Sequence, residues 1–233
     1  MKPFINNIND LMDFLDDKVA SVGWDEFYSE RKFQTPFIVQ NTMPDENLVA
    51  FLNKEKSITS AMELGCGEGR NAIYIAKQGI SVKAYDISSV AIENAIKTIR
   101  NSKVDITFLC EDVLKNDIKG EYDFVYDSGM LHHLAPHRRI SYIQLLQNVL
   151  KPGGYFGLTC FACGESCADE INDWEYYDQK FNAGIAFTKD RIIELFCPYF
   201  DVVEIRKYCN GIPNTIQGLQ FMWVCLFKDK RIK

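Results

Sequence analysis

Short apolar runs alternate with amphipathic segments along the chain from residue 60 onward. Apolar runs between turn signals predict strands, and apolar positions that share one helical face predict helices. The runs predict five strands, at 60–65, 81–86, 104–110, 122–127 and 155–160. The amphipathic segments between them predict helices at 70–78, 89–101 and 137–150. Strands that alternate with helices in this way indicate an α/β fold with a doubly wound parallel sheet.

The C-terminal part of the chain departs from this alternation. Residues 161–187 are irregular and polar with interspersed aromatic residues, which predicts an insertion after the fifth strand. Such insertions often carry a substrate site, although a surface loop anchored by its aromatic side chains is an equally good interpretation. A helix at 188–197 precedes strands at 200–208 and 218–227, whose hairpin-like succession predicts an antiparallel pair at the sheet edge.

The N-terminal part precedes the first core strand. Helical patterns at 8–20 and after Pro44 flank a stretch that is rich in aromatic residues and has little periodicity. The first pattern places four apolar residues on one helical face, namely Ile8, Leu11, Met12 and Leu15. We therefore expect residues 1–45 to form a helical lid segment and residues 46–233 to form the main domain.

Composition limits the classes of partner. The 233 residues carry a net charge of −6, whereas a surface that follows phosphates needs a basic face, so no nucleic acid is expected. No apolar run is long enough to span a bilayer. The N-terminus lacks a secretory apolar core, which predicts a cytoplasmic location and reduced thiols.

Three of the eight cysteines lie close together, at Cys160, Cys163 and Cys167. They read best as structural thiols, because no second close pair completes a zinc-ribbon spacing. A metal site with the distant Cys209 and a thiol that faces the substrate are the alternatives. We expect no metal.

The chemistry concentrates in the turn after the first strand. Gly65, Gly67 and Gly69 alternate there and expose bare backbone to a ligand, and the turn leads into a helix N-terminus. Glu63 ends the strand beneath the turn as an acceptor-only side chain. Asp86 ends the next strand at the spacing from the glycines that is typical of a carboxylate binding a ribose. The pattern predicts a nucleoside cofactor at the carboxyl ends of parallel strands.

Five motifs in order resemble those of the class I S-adenosylmethionine-dependent methyltransferases, from about residue 45 to 228. They are Glu63–Gly69, Asp86, Asp112-Val113, Asp127-Ser128-Gly129 and Leu150–Gly154. The resemblance implies a seven-stranded Rossmann-like sheet, mostly parallel with an antiparallel last strand. It also implies S-adenosylmethionine as cofactor and methyl transfer to an acceptor.

The resemblance assigns roles along the cofactor. Gly65 and Gly67 would pass close to its amino-acid end, and Glu63 would face its ammonium group. Asp86 would bind the ribose hydroxyls. The adenine would lie between two apolar residues beside an acceptor for its exocyclic amine, namely Ile87, Val113 and Asp112. The remaining residues that we expect at the cofactor are Trp24, Cys66, Arg70 and Asp127.

A narrower resemblance covers the lid segment. Trp24, Phe33, Thr35–Phe37 and the residues from Pro44 to Leu52 are similar to the thiopurine, thiol and tellurite-resistance methyltransferases, which use this segment as a lid. The loop at 161–187 differs from that group and leaves the acceptor open.

Two histidines follow the fourth strand, where the acceptor reaches the methyl group in this fold. A histidine of near-neutral pKa can take a proton from a hydroxyl, thiol or amine. We favour His132 as the catalytic residue because it lies nearer the strand end, although either His132 or His133 could instead pack or cap a helix.

The favoured function is methyl transfer to a small-molecule acceptor by a cytoplasmic enzyme, with homodimerisation as a further expectation. One alternative is a catalytically silent sensor or scaffold of the same fold. Another is a nicotinamide-dependent oxidoreductase, which is disfavoured because the glycines lack the spacing of the dinucleotide fingerprint.

Overall fold

The computed structural model describes residues 4–19, 22–30, 42–164, 171–178 and 184–232. The helices are α1 (Ile8–Asp16), α2 (Trp24–Glu30), α3 (Glu46–Lys54), α4 (Arg70–Lys77), α5 (Ser89–Ile99), α6 (Arg138–Val149), α7 (Asp173–Asp178) and α8 (Lys189–Phe196). The strands are β1 (Ser60–Leu64), β2 (Ser81–Asp86), β3 (Ile106–Cys110), β4 (Tyr122–Ser128), β5 (Leu150–Phe161), β6 (Phe200–Lys207) and β7 (Met222–Asp229). Phe33, Thr35–Phe37, Cys167 and Phe181, which entered the sequence interpretation, lie outside the described residues.

The strands form one seven-stranded sheet in the order β3-β2-β1-β4-β5-β7-β6. β1 pairs in parallel with β2 and with β4, and β7 runs antiparallel to both β5 and β6. This confirms the predicted doubly wound sheet with an antiparallel last strand. The strand order reverses between β1 and β4, which is where an open α/β sheet leaves a crevice for a ligand at the carboxyl ends of its strands.

The sheet buries apolar side chains on both faces. One core contains Leu48 of α3 and Ile75 of α4, packed against the inner strands. The other contains Leu146 of α6 and Phe196 of α8. Because helices cover both faces of the sheet, a ligand site is expected at the ends of its strands and in the loops that follow them.

Two predicted boundaries shift in the C-terminal half. β5 begins at Leu150, directly after α6, so the predicted turn before it belongs to a long strand. β7 begins at Met222 rather than at residue 218, because the chain before it bonds elsewhere. The N–H of Ile216 donates to the carbonyl of Pro44 at 3.0 Å, which joins this loop to the segment before α3.

The N-terminal helix packs differently from the prediction. Of its predicted apolar face, Met12 is buried but Ile8 is 59% exposed. α1 instead docks through its acidic side, where Asp16 and Asp13 accept hydrogen bonds from Arg138 of α6. The short helix α2 has no counterpart in the sequence interpretation. The division at residue 45 remains a prediction.

No helix in the described part of the chain combines the length and the apolar character that a bilayer crossing requires. Within the same residues, no group of three or more histidine, cysteine, aspartate or glutamate side chains has an arrangement that could hold a metal ion.

Candidate active site

The main cavity lies at the strand-order reversal and has a volume of about 420 Å³, within the range of small-molecule sites. Eleven of the twelve predicted site residues line it: Trp24, Glu63, Gly65, Cys66, Gly67, Arg70, Asp86, Ile87, Asp112, Val113 and His132. Asp127 is absent from this wall. The structure therefore brings these eleven residues together from eight separate elements and loops.

The glycine turn forms the floor of the cavity. Gly65 and Gly67 have φ values of 61° and 54°, a left-handed conformation that residues with a Cβ rarely adopt. A Cβ built at Gly67 would lie 2.5 Å from the hydroxyl oxygen of Tyr28, and one at Gly65 would lie 2.9 Å from the Cβ of Met130. The turn thus needs glycine both for its conformation and for the close approach of its neighbours.

Asp86 ties the second strand to this turn. Its Oδ2 accepts a hydrogen bond from the Gly67 N–H at 2.7 Å, and its Oδ1 accepts one from the Ser88 N–H at 2.8 Å. Burial raises the pKa of this carboxyl group, and the two N–H groups oppose that effect. Each carboxylate oxygen has a further lone pair, so Asp86 can still accept from a ligand hydroxyl.

Glu63 is the most constrained ionisable group of the site. It is 2% exposed, and burial raises its pKa to about 8. The Ala72 N–H and the Asn71 side chain donate to it, but its Oε2 is buried and has no hydrogen-bond partner among the described residues. A buried acceptor without a donor is costly, so this oxygen is expected to meet a ligand donor.

Arg70 supplies positive charge beside Glu63. Its guanidinium donates to Asp45 Oδ1 at 2.6 Å and to Ser128 Oγ at 3.0 Å. Asp45 is fully buried and also accepts from the Tyr126 hydroxyl at 2.7 Å. This network fixes the guanidinium in the cavity wall, and the nearby Asp45 carboxylate favours its charged form despite burial.

Part of the cavity wall is apolar. Val113 is buried and Ile87 is exposed, and both line the cavity. Asp112 Oδ1 accepts from the Leu114 N–H at 2.9 Å. Two apolar side chains beside a carboxylate form a surface that suits a planar base with an amino donor.

Asp127 lies beneath the cavity. Its Oδ1 accepts from the Met130 N–H at 2.7 Å, and its Oδ2 accepts from the Leu131 N–H at 3.0 Å and from the Tyr142 hydroxyl at 2.6 Å. The carboxyl group is fully buried, which raises its pKa to about 6. These hydrogen bonds hold the turn after β4 in place, and the direct cofactor contact of Asp127 remains a prediction.

The two histidines stand at the opposite end of the cavity within a chain of aromatic rings. The His132 ring stacks on Phe161 with centroids 3.7 Å apart, and the His133 ring meets Trp24 edge-on at 4.8 Å. Burial lowers the pKa of His132 far below its usual value and that of His133 to about 4. Both imidazoles are therefore neutral at pH 7. His132 Nδ1 is buried without a hydrogen-bond partner among the described residues.

Wall residues absent from the predicted site include Met130 of the turn after β4, Leu219 of the loop before β7 and Met222, the first residue of β7. Nothing in the sequence of such apolar residues distinguishes a cavity wall from a core position. Tyr176 of the predicted insertion also lines the cavity, so this part of the insertion reaches the site.

The family comparison agrees with this geometry. Residues 61–154 match the model of a family described as a methyltransferase domain. The uncharacterized methyltransferase sll0829 of Synechocystis is 34% identical over 97 residues, which cover 42% of this chain and 44% of that protein. The probable S-adenosyl-L-methionine-dependent methyltransferase TehB of Haemophilus influenzae is 24% identical over 189 residues, which cover 72% of this chain and 63% of that protein.

The probable thiol methyltransferase 2 of Arabidopsis thaliana is 27% identical over 155 residues, which cover 64% of this chain and 66% of that protein. The chain thus spans less than two thirds of the length of each of these curated relatives.

Solved structures share the fold. The crystal structure of Haemophilus influenzae TehB aligns with a TM-score of 0.63 and 17% identity over 88% of this chain and 67% of that one. The Burkholderia thailandensis 1,6-didemethyltoxoflavin-N1-methyltransferase aligns with a TM-score of 0.65 and 17% identity over 98% of this chain and 93% of that one. The domain match covers residues 61–154, and together with these relatives and the sheet it supports a class I S-adenosylmethionine-dependent methyltransferase similar to TehB and to the plant thiol methyltransferase.

Proposed function

We propose that this chain transfers a methyl group from S-adenosylmethionine to an uncharged small-molecule acceptor. The observation that carries the proposal is the orphaned Oε2 of Glu63, which is buried in the same cavity wall as the bare turn at Gly65 and Gly67. A donor group of the ligand is needed there, and the ammonium of an amino-acid tail supplies one.

The remaining wall residues fit the other parts of this cofactor. Arg70 offers a guanidinium to the carboxylate of the amino-acid tail. Asp86 retains acceptor capacity for ribose hydroxyls, and Ile87 and Val113 offer apolar contact to the adenine. A positive, a negative, a hydroxyl-binding and an apolar element thus occur in one cavity, and the cofactor carries a matching group for each.

When bound, S-adenosylmethionine supplies a methyl group already activated by the sulfonium. The protein therefore has to align the acceptor, exclude water and receive a proton where the acceptor loses one. We assign His132 as the group that accepts this proton. Its imidazole is neutral at pH 7, and its stack on Phe161 holds the ring in one orientation.

The surroundings of His132 favour an uncharged acceptor. Trp24, Met130, Leu219 and Met222 contribute aromatic, thioether and aliphatic surface to the cavity, and His133 is neutral beside them. A charged acceptor would lose its hydration against this apolar wall. A thiol or a ring N–H fits this wall, and the similarity to a thiol methyltransferase and to an N1-methyltransferase supports those two acceptor classes.

Two measurements test the proposal. Calorimetry with S-adenosylmethionine and with S-adenosylhomocysteine is expected to show binding that Asp86→Ala weakens. A screen for S-adenosylhomocysteine formation across neutral thiols, amines and hydroxy compounds is then expected to find turnover. No heat with either compound at high micromolar protein would remove the methyltransferase assignment.

The His132→Asn variant tests the catalytic assignment. We expect turnover to fall by about 100-fold, because a positioned proton acceptor contributes on that order. S-adenosylhomocysteine affinity should stay unchanged. His133→Asn, beside it on the same turn, is the matched control and is expected to affect turnover less. Equal losses in the two variants would contradict the choice of His132.

The same screen separates the alternative functions. Tight cofactor binding without product from any acceptor class would favour the catalytically silent sensor or scaffold. The family match favours a methyltransferase over a nicotinamide-dependent oxidoreductase, which would change absorbance at the reduced-nicotinamide band during turnover.

A cytoplasmic location and a homodimer belong to this proposal as sequence-based predictions. Cell fractionation tests the location, and light scattering coupled to size exclusion tests the oligomeric state.

A further inference from the structure

A carboxylate outside the predicted site joins the lid segment to the cofactor cavity. Asp25 lies on α2, the same short helix that carries Trp24 and Tyr28 over the cavity. Its side chain points across to the start of α5. Asp25 Oδ1 accepts from the Ser88 hydroxyl at 2.7 Å and from the Val90 N–H at 3.3 Å. Its Oδ2 accepts from the Ser89 hydroxyl at 3.2 Å.

This arrangement is an N-terminal cap supplied from another helix. The first N–H groups of a helix have no partner within it, and the helix end carries a partial positive charge that favours a carboxylate. α5 is eleven residues long and also has its own cap, because Ser88 Oγ accepts from the Ala91 N–H at 3.1 Å. Asp25 thus adds a second, charged cap from the lid segment, and hydrogen bonding from Ser88 lowers the pKa of its carboxyl group.

Ser88 connects this cap to the cofactor cavity. Its hydroxyl donates to Asp25, while its backbone N–H donates to Asp86 Oδ1. Asp86 in turn accepts from the Gly67 N–H of the glycine turn. One buried serine therefore holds both the lid helix and the carboxylate that faces the ribose position. Moving α2 away would remove the hydroxyl contact that orients Ser88.

The docked helix also covers the glycine turn. The Tyr28 hydroxyl oxygen lies 2.5 Å from the position that a Cβ at Gly67 would take. Tyr28 has a raised pKa, chiefly through burial and then through the charge of Asp86. Its phenol is thus neutral and sits at the junction of Gly67 and Asp86.

We infer that Asp25 is a positioning residue for cofactor binding, which couples docking of the lid helix α2 to the orientation of Asp86 through Ser88. The inference rests on the proposed function, because it concerns the same cofactor cavity. Among the described residues, Asp25 accepts hydrogen bonds from Ser88, Ser89 and Val90, all at the start of α5. It therefore acts on Asp86 through Ser88.

The test measures S-adenosylhomocysteine binding by calorimetry together with amide hydrogen exchange of residues 24–30. Asp25→Ala is expected to raise the dissociation constant about fivefold, on the scale of a lost helix cap. Exchange in 24–30 should rise with and without ligand. Asp25→Asn keeps an oxygen for Ser88 and Val90 and should restore most of the affinity.

Two surface changes serve as controls for the substitution itself. Ser29→Ala alters an exposed position on α2, and Glu93→Ala removes an exposed carboxylate on α5. Both should bind S-adenosylhomocysteine as the wild type does. A double-mutant cycle with Ser88→Ala isolates the coupling, since Asp25→Ala should cost little once the hydroxyl is gone.

The outcomes separate the inference from the proposed function. Wild-type affinity in Asp25→Ala, with faster exchange in 24–30, would overturn the inference while leaving the cofactor assignment intact. Additive losses in the double-mutant cycle would also overturn it. No binding by the wild-type protein would instead refute the proposed function, and the inference with it.

Discussion

Binding of the cofactor's ammonium group to Glu63 should release a proton. The free protein holds this carboxyl group with a pKa of about 8, because burial penalises its charged form. At pH 7 it is therefore about nine-tenths protonated in the free state. An ammonium placed against Oε2 stabilises the carboxylate and lowers its pKa, so the group should lose its proton on binding.

Calorimetry measures this proton directly. S-adenosylhomocysteine is titrated at pH 7 in buffers with different ionisation enthalpies, and the slope of observed against buffer enthalpy gives the number of protons. We expect about 0.9 protons released by the wild type. Glu63→Gln should release none from this site and bind about tenfold or more weakly, as expected when a charge-assisted hydrogen bond becomes neutral. A slope near zero for the wild type would refute the assignment of Glu63 to the ammonium.

The same group makes the stability of the free protein depend on pH. The folded-state pKa of about 8 lies above the usual value of 4.5 for a glutamate. The contribution of Glu63 to the free energy of unfolding is therefore largest below about pH 4.5 and decreases as pH rises toward 8. The full difference corresponds to at most about 5 kcal/mol, since one pKa unit is about 1.4 kcal/mol. Urea unfolding of Glu63→Gln should lack this decrease.

Two further predictions concern the groups that position the site. Tyr142→Phe removes the hydroxyl that donates to buried Asp127 and should lower the unfolding free energy by about 2 kcal/mol in urea. Because the Asp127 pKa is about 6, the loss should be larger at pH 7 than at pH 5, and an equal loss would contradict the charged state assumed. Asp16→Asn should speed amide exchange in α1 about tenfold, whereas Asp13→Asn, at a more exposed carboxylate, should change it little. Burial alone would raise the pKa of Asp16, but hydrogen bonds from Arg138, Lys115 and His137 hold it well below its usual range. The docking of α1 should therefore weaken only as pH falls below about 4.

The cofactor half of the site could be predicted because its residues follow strands whose pattern is local. Each of Glu63, Asp86 and Val113 lies at or just after the end of a parallel strand, and parallel strands bring those ends to one edge. The glycine turn added a conformational requirement that few other sequences meet. Periodicity and turn chemistry were therefore sufficient to gather these residues without knowledge of long-range contacts.

Asp127 shows what that reasoning leaves open, because its contact with the cofactor remains a prediction. Its position at a strand end is equivalent to that of Asp86, so the pattern assigned both to the ligand. The difference arises in the following turn. The chain after β4 folds back and presents the N–H groups of Met130 and Leu131 to the carboxylate, which leaves it buried. A side chain that caps its own turn has the same sequence signature as one that faces a cavity.

The lid helix α2 could not be predicted for a related reason. It is seven residues long and buries none of them fully, so the stripe formed by Trp24, Phe27 and Tyr28 is too short to establish a helical period. Tertiary contacts hold it in place, and they include the hydrogen bonds that Asp25 accepts at the start of α5. A short helix of this kind owes its stability to its docking partner rather than to its own sequence.

The part of the cavity that would bind the acceptor depends on contacts between residues that lie farther apart in the sequence. Leu219 reaches the cavity from the loop before β7 and Met222 from the first position of β7, and Glu46 of α3 anchors the start of that loop. The Glu46 carboxylate is buried and accepts from the N–H groups of Cys209 at 2.8 Å and Gly211 at 3.1 Å. The loop can therefore change its apolar side chains while its backbone stays anchored to α3. Because the glycine turn is confined by its positive φ values and close neighbours, we expect acceptor preference to be altered by substitutions at 219 and 222, with cofactor affinity unchanged.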